Sequence, residues 1–158
     1  MVRKITWEEV EVAANSLASV IKTSDFNPDY IVGLATGGLI PLYFLSKKIG
    51  ISNVLIVSSK LMEKDNKKEI KITYLPDINL KNKKLLLVDE ISSTGFTLKT
   101  VAEIIVKKYE PSEIKTATLA TNKNKCQKLP DFYVLSEDDE KIVFPWEKED
   151  FSKHFNLD

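Results

Sequence analysis

The segment Leu85-Leu86-Leu87-Val88 runs directly into Asp89-Glu90 and then into Ser92-Ser93-Thr94-Gly95-Phe96-Thr97. Its apolar run is too short for a buried helix and too uniformly apolar for a strand with one wet face, so it predicts a strand covered on both sides. Such a strand needs helices above and below the sheet, which commits the chain to βαβ units and a mostly parallel arrangement. The two carboxylates then fall at the C-terminal edge of the sheet, where open α/β sheets bind their ligands.

The rest of the chain repeats this alternation. Thr6 and Glu9 read as a capping box, and Val10, Ala13, Ala14, Leu17, Val20 and Ile21 recur at helical spacing, predicting a first helix over roughly 7–22. Tyr30 to Ala35 reads as a buried strand that ends in Thr36-Gly37-Gly38. A helix from Leu39 to Ile49 follows, with Pro41 in its first turn and Gly50 as its stop. Asn53 to Ser58 predicts another buried strand, Lys60 to Lys68 a charged loop, and Ile70 to Tyr74 a more exposed strand. The segment Lys84 to Asp89 is the clearest strand, a helix carries Leu98, Val101, Ala102 and Ile105 to about Tyr109, and Ile114 to Ala120 is a further strand. Two short strands, Phe132 to Leu135 and Ile142 to Phe144, flank the acidic run Glu137-Asp138-Asp139-Glu140. With no repeat and no linker composition, residues 1–158 are expected to form one doubly wound α/β domain.

Charge and cysteine usage exclude several function classes. Lys plus Arg and Asp plus Glu number 23 each, so the basic surplus of a general nucleic-acid binder is missing. Arg3 is the sole arginine, so phosphate must be met by lysine point charges and backbone N–H groups instead of guanidinium forks. The single cysteine, Cys126, permits no internal disulfide and no cysteine-rich zinc site. Glu8, Glu9 and Glu11 interrupt the first apolar pattern, which fits neither a signal nor a transit peptide, and no apolar run is long enough for a membrane span. A cytoplasmic location is the expectation. His154 is the only histidine, leaving little for Ser-His-Asp or His-metal chemistry, and Phe151 and Phe155 mark Lys148 to Asp158 as a short amphipathic helix.

Two segments are candidates for chemistry. Ser92 to Thr97 sets hydroxyls and free N–H groups at a helix start, an anion cradle by construction. Carboxylates beside such a cradle make sense when they face hydroxyls or a divalent cation, and a sugar phosphate with Mg²⁺ offers both. Gly33 to Leu39 repeats the pattern of strand, glycine turn and helix. It is neither a P-loop nor a Gly-x-Gly-x-x-Gly turn, so nucleoside triphosphatase and dinucleotide readings lose their warrant. Both segments also admit a purely structural reading as a strand end, a cap and a tight turn.

Together these segments resemble the type I phosphoribosyltransferases. Leu85 to Thr97 resembles their 5-phosphoribosyl 1-diphosphate motif and Thr36-Gly37-Gly38 their diphosphate loop. Ser58 through Lys71 resembles their mobile catalytic loop. Pro130 to Val134, with Ile142-Val143-Phe144-Pro145-Trp146-Glu147, resembles the C-terminal base-binding hood of the bacterial and archaeal 6-oxopurine branch. The resemblance implies transfer of a 5-phosphoribosyl group to a nucleobase, most naturally hypoxanthine, guanine or xanthine, with diphosphate leaving and Mg²⁺ as cofactor. Asp89 and Glu90 would hold the ribose hydroxyls and the metal-bearing face of the donor, and Ser92, Ser93, Thr94, Gly95 and Thr97 would wrap its 5-phosphate. Thr36, Gly37 and Gly38 would meet the diphosphate and Lys68 would neutralise it, while Asn122, Lys141, Ile142 and Phe144 would meet the base. Small-molecule substrates and a homo-oligomer, dimer or tetramer, are also implied.

The sequence departs from the family at the active site. Ser93 stands where the purine branch usually has an aspartate, Thr36 where a basic residue often precedes the two glycines, Asn122 where a lysine reads the purine 6-oxo group, and Lys141 where an aromatic stacks on the base. Three readings remain: a 6-oxopurine enzyme with altered recognition, a phosphoribosyltransferase for another acceptor, and a non-catalytic module that senses phosphoribosyl diphosphate or a nucleotide.

Overall fold

The structure, a computed structural model, describes residues 1–138 and 140–147. Six strands form the main sheet: β2 (Tyr30–Ala35), β3 (Val54–Lys64), β4 (Lys67–Tyr74), β5 (Lys84–Ser92), β6 (Glu113–Thr121) and β7 (Leu135–Ser136). Their order is β4-β3-β2-β5-β6-β7, with every pair parallel except β3 with β4. A separate parallel pair joins β1 (Val2–Lys4) to β8 (Lys141–Val143).

The period of two along β5 explains why both faces are covered. Leu86 and Val88 point into a cluster with Val10, Ala14 and Leu17 of α1 (Trp7–Thr23) and Leu42 and Leu45 of α2 (Leu39–Ile49). Leu85 and Leu87 point the other way, against Leu98, Val101 and Ile105 of α3 (Phe96–Tyr109). All four of these β5 residues are fully buried, each worth roughly 1.5–3 kcal/mol on transfer from water. This is the doubly wound architecture that the apolar run predicts.

Helix starts differ in a way that bears on the site. The α1 start closes on itself, since Thr6 Oγ1 accepts from Glu9 N–H while the Glu9 carboxylate accepts from Thr6 N–H. The α2 and α3 starts, at Gly38 and Gly95, carry no side-chain cap. Their N–H groups point out of the C-terminal edges of β2 and β5, which are neighbours in the sheet.

Three expectations need correction. The predicted loop at 60–68 is instead a β-hairpin, in which Lys60 pairs with Lys71, Leu61 with Ile70 and Glu63 with Lys68. Its turn, Asp65-Asn66, has positive φ at both residues, the geometry of a tight hairpin whose twist matches the strands. Charge on both faces hid it from the hydrophobic pattern, because this ribbon runs out from the sheet into water with Leu61 and Met62 exposed. The strand expected from Phe132 contracts to Leu135–Ser136, with Phe132 making an isolated bridge to Ala117, and the strand expected at 142–144 is Lys141–Val143. Finally, β1 was not anticipated. The tail Lys148 to Asp158, with its expected amphipathic helix and His154, lies outside the described residues. Among the described residues no helix is long and apolar enough to cross a membrane.

Gly33 and Gly38 flank the crowded β2–α2 turn. A Cβ on Gly38 would lie 2.5 Å from Val88 O and 2.7 Å from Leu34 O, both backbone atoms, whereas one on Gly33 would lie 2.7 Å from Leu42 Cδ2, the end of a movable side chain. Gly38→Ala is therefore expected to destabilise the fold by roughly 3 kcal/mol and Gly33→Ala by about 1 kcal/mol, read from urea midpoints. Equal losses would show that the β2–β5 approach is not the tighter constraint.

Candidate active site

The site is assembled where β2 and β5 lie side by side. Beyond β2, Gly38 N–H donates to Leu34 O (2.8 Å) and Leu39 N–H to Thr36 O (3.1 Å), folding Thr36-Gly37-Gly38 over the sheet edge, and the Ala35–Thr36 peptide is cis. Near the C-terminal end of β5 stand Asp89 and Glu90. The two motifs touch: a Cβ on Gly37 would sit 2.6 Å from Glu90 Cδ and Oε1, so any larger residue there would have to displace that carboxyl. Asp89 Oδ1 accepts from Glu90 N–H (2.8 Å), and Glu90 Oε2 accepts from Trp146 Nε1–H. Trp146 belongs to the short helical turn Pro145–Glu147, so the C-terminal segment returns across the strand ends.

No cation pairs directly with these carboxylates among the described residues, and only the more distant Lys141 charge favours the ionised form of Glu90. Burial, reinforced by Glu90 and Glu147, pushes the Asp89 carboxyl up to about 8 despite the N–H bond that opposes it. Burial and the Glu147 charge likewise raise Glu90. Among the described residues the ion pairs are Arg3 with Glu9 and Lys99 with Glu103, neither at this edge. An all-oxygen pair short of positive charge suits a hard divalent cation such as Mg²⁺. No group of three or more metal-ligating side chains occurs among the described residues, so such an ion would take most of its oxygens from the bound substrate and water.

The turn into α3 is built as an anion seat. Gly95 takes φ +83°, a left-handed conformation that glycine adopts freely, and its Cα is backed by Cys126 Sγ and Lys128. Gln127 N–H donates to Thr94 O (3.0 Å), and Cys126 Sγ lies 3.0 Å from Lys128 O, so the segment after β6 pins the loop from behind. Cys126 thus packs against the Thr94-Gly95 turn. Thr94 is exposed, and Ser93 and Thr97 are part-exposed; the Ser93 hydroxyl donates to Glu137 Oε1, and Thr94 Oγ1 accepts from Phe96 N–H (3.4 Å).

Several expected contacts resolve differently. Ser92 is buried, with Oγ 3.6 Å from Cys126 Sγ and its carbonyl accepting from Thr121 Oγ1 and Asn122 N–H, so it braces the loop from within. Phe144 is fully buried in the core and stacks on Trp146 at 4.7 Å, which removes it as a base platform. The Asn122 amide is committed: Nδ2 donates to Glu137 O and Oδ1 accepts from Asn124 and Lys125 N–H. It shapes the loop where a base-reading lysine was sought. Lys68 lies exposed on the β3–β4 ribbon and Lys141 is exposed on β8. Ile142 is buried; β8 bonds to β1 through Lys141 N–H and Val143 O, which turns the Ile142 backbone groups to the opposite side, where its N–H donates to Glu137 Oε2 (3.2 Å).

Glu137 is what residue-by-residue reading missed. It sits first in an acidic run that looks like a solvated spacer, yet it is only 6% exposed and its Oε1 accepts from Ser93 Oγ at 2.6 Å. The available signal was weak: the first carboxylate of an acidic run that follows β7 directly.

The phosphoribosyl transferase domain profile matches residues 6–151. Among solved structures, the purine phosphoribosyltransferase of Pyrococcus horikoshii Ot3 is 36% identical, covers 91% of this chain and 92% of its own, and superposes with a TM-score of 0.81. A hypothetical protein from Neisseria gonorrhoeae with bound ppGpp is 23% identical, with coverage of 99% and 96% and a TM-score of 0.81. The xanthine-guanine-hypoxanthine phosphoribosyltransferase of Helicobacter pylori is 21% identical, with coverage of 98% and 99% and a TM-score of 0.82; at such identities these last two speak for the fold alone. With the motif at the end of β5, the sheet order and the profile in agreement, this chain belongs to the phosphoribosyltransferase family, whose enzymes transfer pentosyl groups.

Proposed function

We propose that the protein transfers the 5-phosphoribosyl group of 5-phosphoribosyl 1-diphosphate to a 6-oxopurine, with residues 1–158 acting as one domain. The observation that carries this reading is the contact between Gly37 and the Glu90 carboxyl, flanked by two uncapped helix starts. It gives one sugar two anion seats on either side of an acidic pair. The α3 start, with Thr94, Gly95 and Thr97, would take the 5-phosphate, and the α2 start, with Thr36 and Gly37, the diphosphate. Between them Asp89 and Glu90 would accept hydrogen bonds from the ribose hydroxyls. Mg²⁺, when bound there, would screen the leaving diphosphate. The chain's own part is to hold the donor by backbone dipoles and exclude water while positive charge develops on the sugar. Lys68, on the ribbon beside β2, would approach the diphosphate when the ribbon folds inward. A purine acceptor is supported by 36% identity to the Pyrococcus purine enzyme and by the C-terminal segment lying across the strand ends.

Incubation with donor, Mg²⁺ and a pool of hypoxanthine, guanine, xanthine, adenine, uracil and orotate is expected to yield inosine, guanosine or xanthosine monophosphate by mass spectrometry. A product only from another base would move the acceptor assignment and leave the donor site intact. Donor binding without product from any base would favour a sensing module, for which ppGpp, bound by the Neisseria protein, is the first ligand to titrate.

The raised Asp89 carboxyl gives a second prediction. Between the ordinary 3.8 and about 8 the folded protein keeps a proton that the unfolded chain has released. The stability this proton contributes is complete below about pH 4 and is lost progressively up to about pH 8. Tm without ligand should therefore fall as pH rises from about 5 to about 8, and Asp89→Asn should flatten the fall. The same variant should lose donor binding in calorimetry. An unchanged slope together with intact binding would remove Asp89 from the site.

A further inference from the structure

Transfer to a ring nitrogen needs a base. As the ring N attacks the anomeric carbon, the C–O bond to diphosphate breaks, and the proton on the attacking ring must leave for the product to be neutral. Asp89 and Glu90 face the sugar, and a serine hydroxyl is no base at neutral pH. Ser93, however, does not stand alone.

Its hydroxyl donates to Glu137 Oε1 at 2.6 Å. The other oxygen, Oε2, accepts from Ile142 N–H at 3.2 Å. The Glu137 backbone is fixed as well: its N–H donates to Thr121 O (2.9 Å), and its carbonyl accepts from Asn122 Nδ2 (3.1 Å). The carboxylate is 94% buried by its 6% exposure, and among the described residues no cation pairs with it. Burying an unpaired carboxylate is costly, and a purely structural role here would be met as well by an amide. Because the Ser93 hydrogen is committed to Glu137, the lone pairs of Oγ are left to accept from something else. Ser93 lies between the acidic pair and the α3 start and is part-exposed, so its Oγ is not sealed in the core.

We propose that Ser93 and Glu137 form a two-residue proton relay for the transfer reaction: Ser93 touches the acceptor base, and Glu137, the positioning residue, takes the proton through it. The base N–H donates to Ser93 Oγ. As the bond to the anomeric carbon forms and the diphosphate departs, that proton passes to Oγ and the original Ser93 proton passes to Glu137 Oε1. The relay ends as a neutral Glu137 acid, an unchanged serine, a neutral nucleotide base and free diphosphate. Because Glu137 also holds Ile142, the carboxylate ties the phosphate loop to β8 and keeps the relay in register with the C-terminal segment. This relay rests on the transfer reading above.

The test is steady-state kinetics with the best base of the pool, comparing the unsubstituted protein with Ser93→Ala, Glu137→Gln, their combination, and Ser93→Asp in the Glu137→Gln background. Each single variant is expected to lower kcat by about 10²-fold or more, with KM for the donor within roughly threefold. The combined variant should lose no more than the worse single one, since both cut the same path. A carboxylate placed at 93 should restore at least about tenfold to Glu137→Gln, which a merely structural Glu137 would not permit. Ser93→Ala, which leaves the Glu137–Ile142 bond in place, carries the test even where Glu137→Gln fails to fold. Activity of Ser93→Ala within roughly threefold of the unsubstituted protein, or additive losses without rescue by Ser93→Asp, would overturn the relay and leave the transfer reading standing. Absence of turnover in the unsubstituted protein would overturn that reading, and the relay with it.

Discussion

The approach of β2 to β5 is the constraint on which the rest of the structure depends. Their parallel register, Tyr30 to Leu85 through Gly33 to Val88, brings two strand-to-helix turns to the same edge. Gly38 then has backbone oxygens of Val88 and Leu34 within what would be a Cβ's radius, and Gly37 has the Glu90 carboxyl in the same place. Side chains at either position would push the strands apart or expel the carboxylate. Apolar burial on both faces of β5 supplies the force that keeps them together.

From that contact the electrostatics follow. Two helix starts whose cap residues are glycines present positive dipole ends to an edge that also holds two carboxylates without a direct ion pair, so opposite partial charges stand a few residues apart without neutralising one another. A ligand with anionic ends and a hydroxylated, cation-binding middle satisfies both. The near absence of arginine is consistent with this economy: backbone N–H groups do the work that guanidinium forks would otherwise do.

What could be read in advance divides along physical lines. The β5 strand, the glycine turns and the three helices were legible because apolar period, caps and turn residues all agreed at those positions. Only the outer part of the β3–β4 ribbon, 60–68, was misread, because its residues are solvated on both faces and give no periodic signal, while its Asp65-Asn66 turn alone betrayed it. Phe144 and Asn122 were placed correctly in the chain but assigned outward roles. Whether an aromatic faces the core or a ligand, and whether an amide is already spoken for, depends on neighbours far away in sequence. Glu137 was invisible for the same reason, since its partner Ser93 is 44 residues distant.

The anion seats and the acceptor end are made of different material, and this gives the molecule two unequal tolerances to change. Seats built from main-chain N–H groups can be removed only by disturbing the glycines that shape them, so most side-chain substitutions pass over them without effect. The proposed acceptor end, by contrast, would depend on a few side chains held by loops, among them Ser93 and Glu137. Each can be exchanged while the sheet stays as it is. Such a scaffold can explore new acceptors by single steps without first surrendering its grip on the donor, a division of labour that makes its specificity far more evolvable than its chemistry.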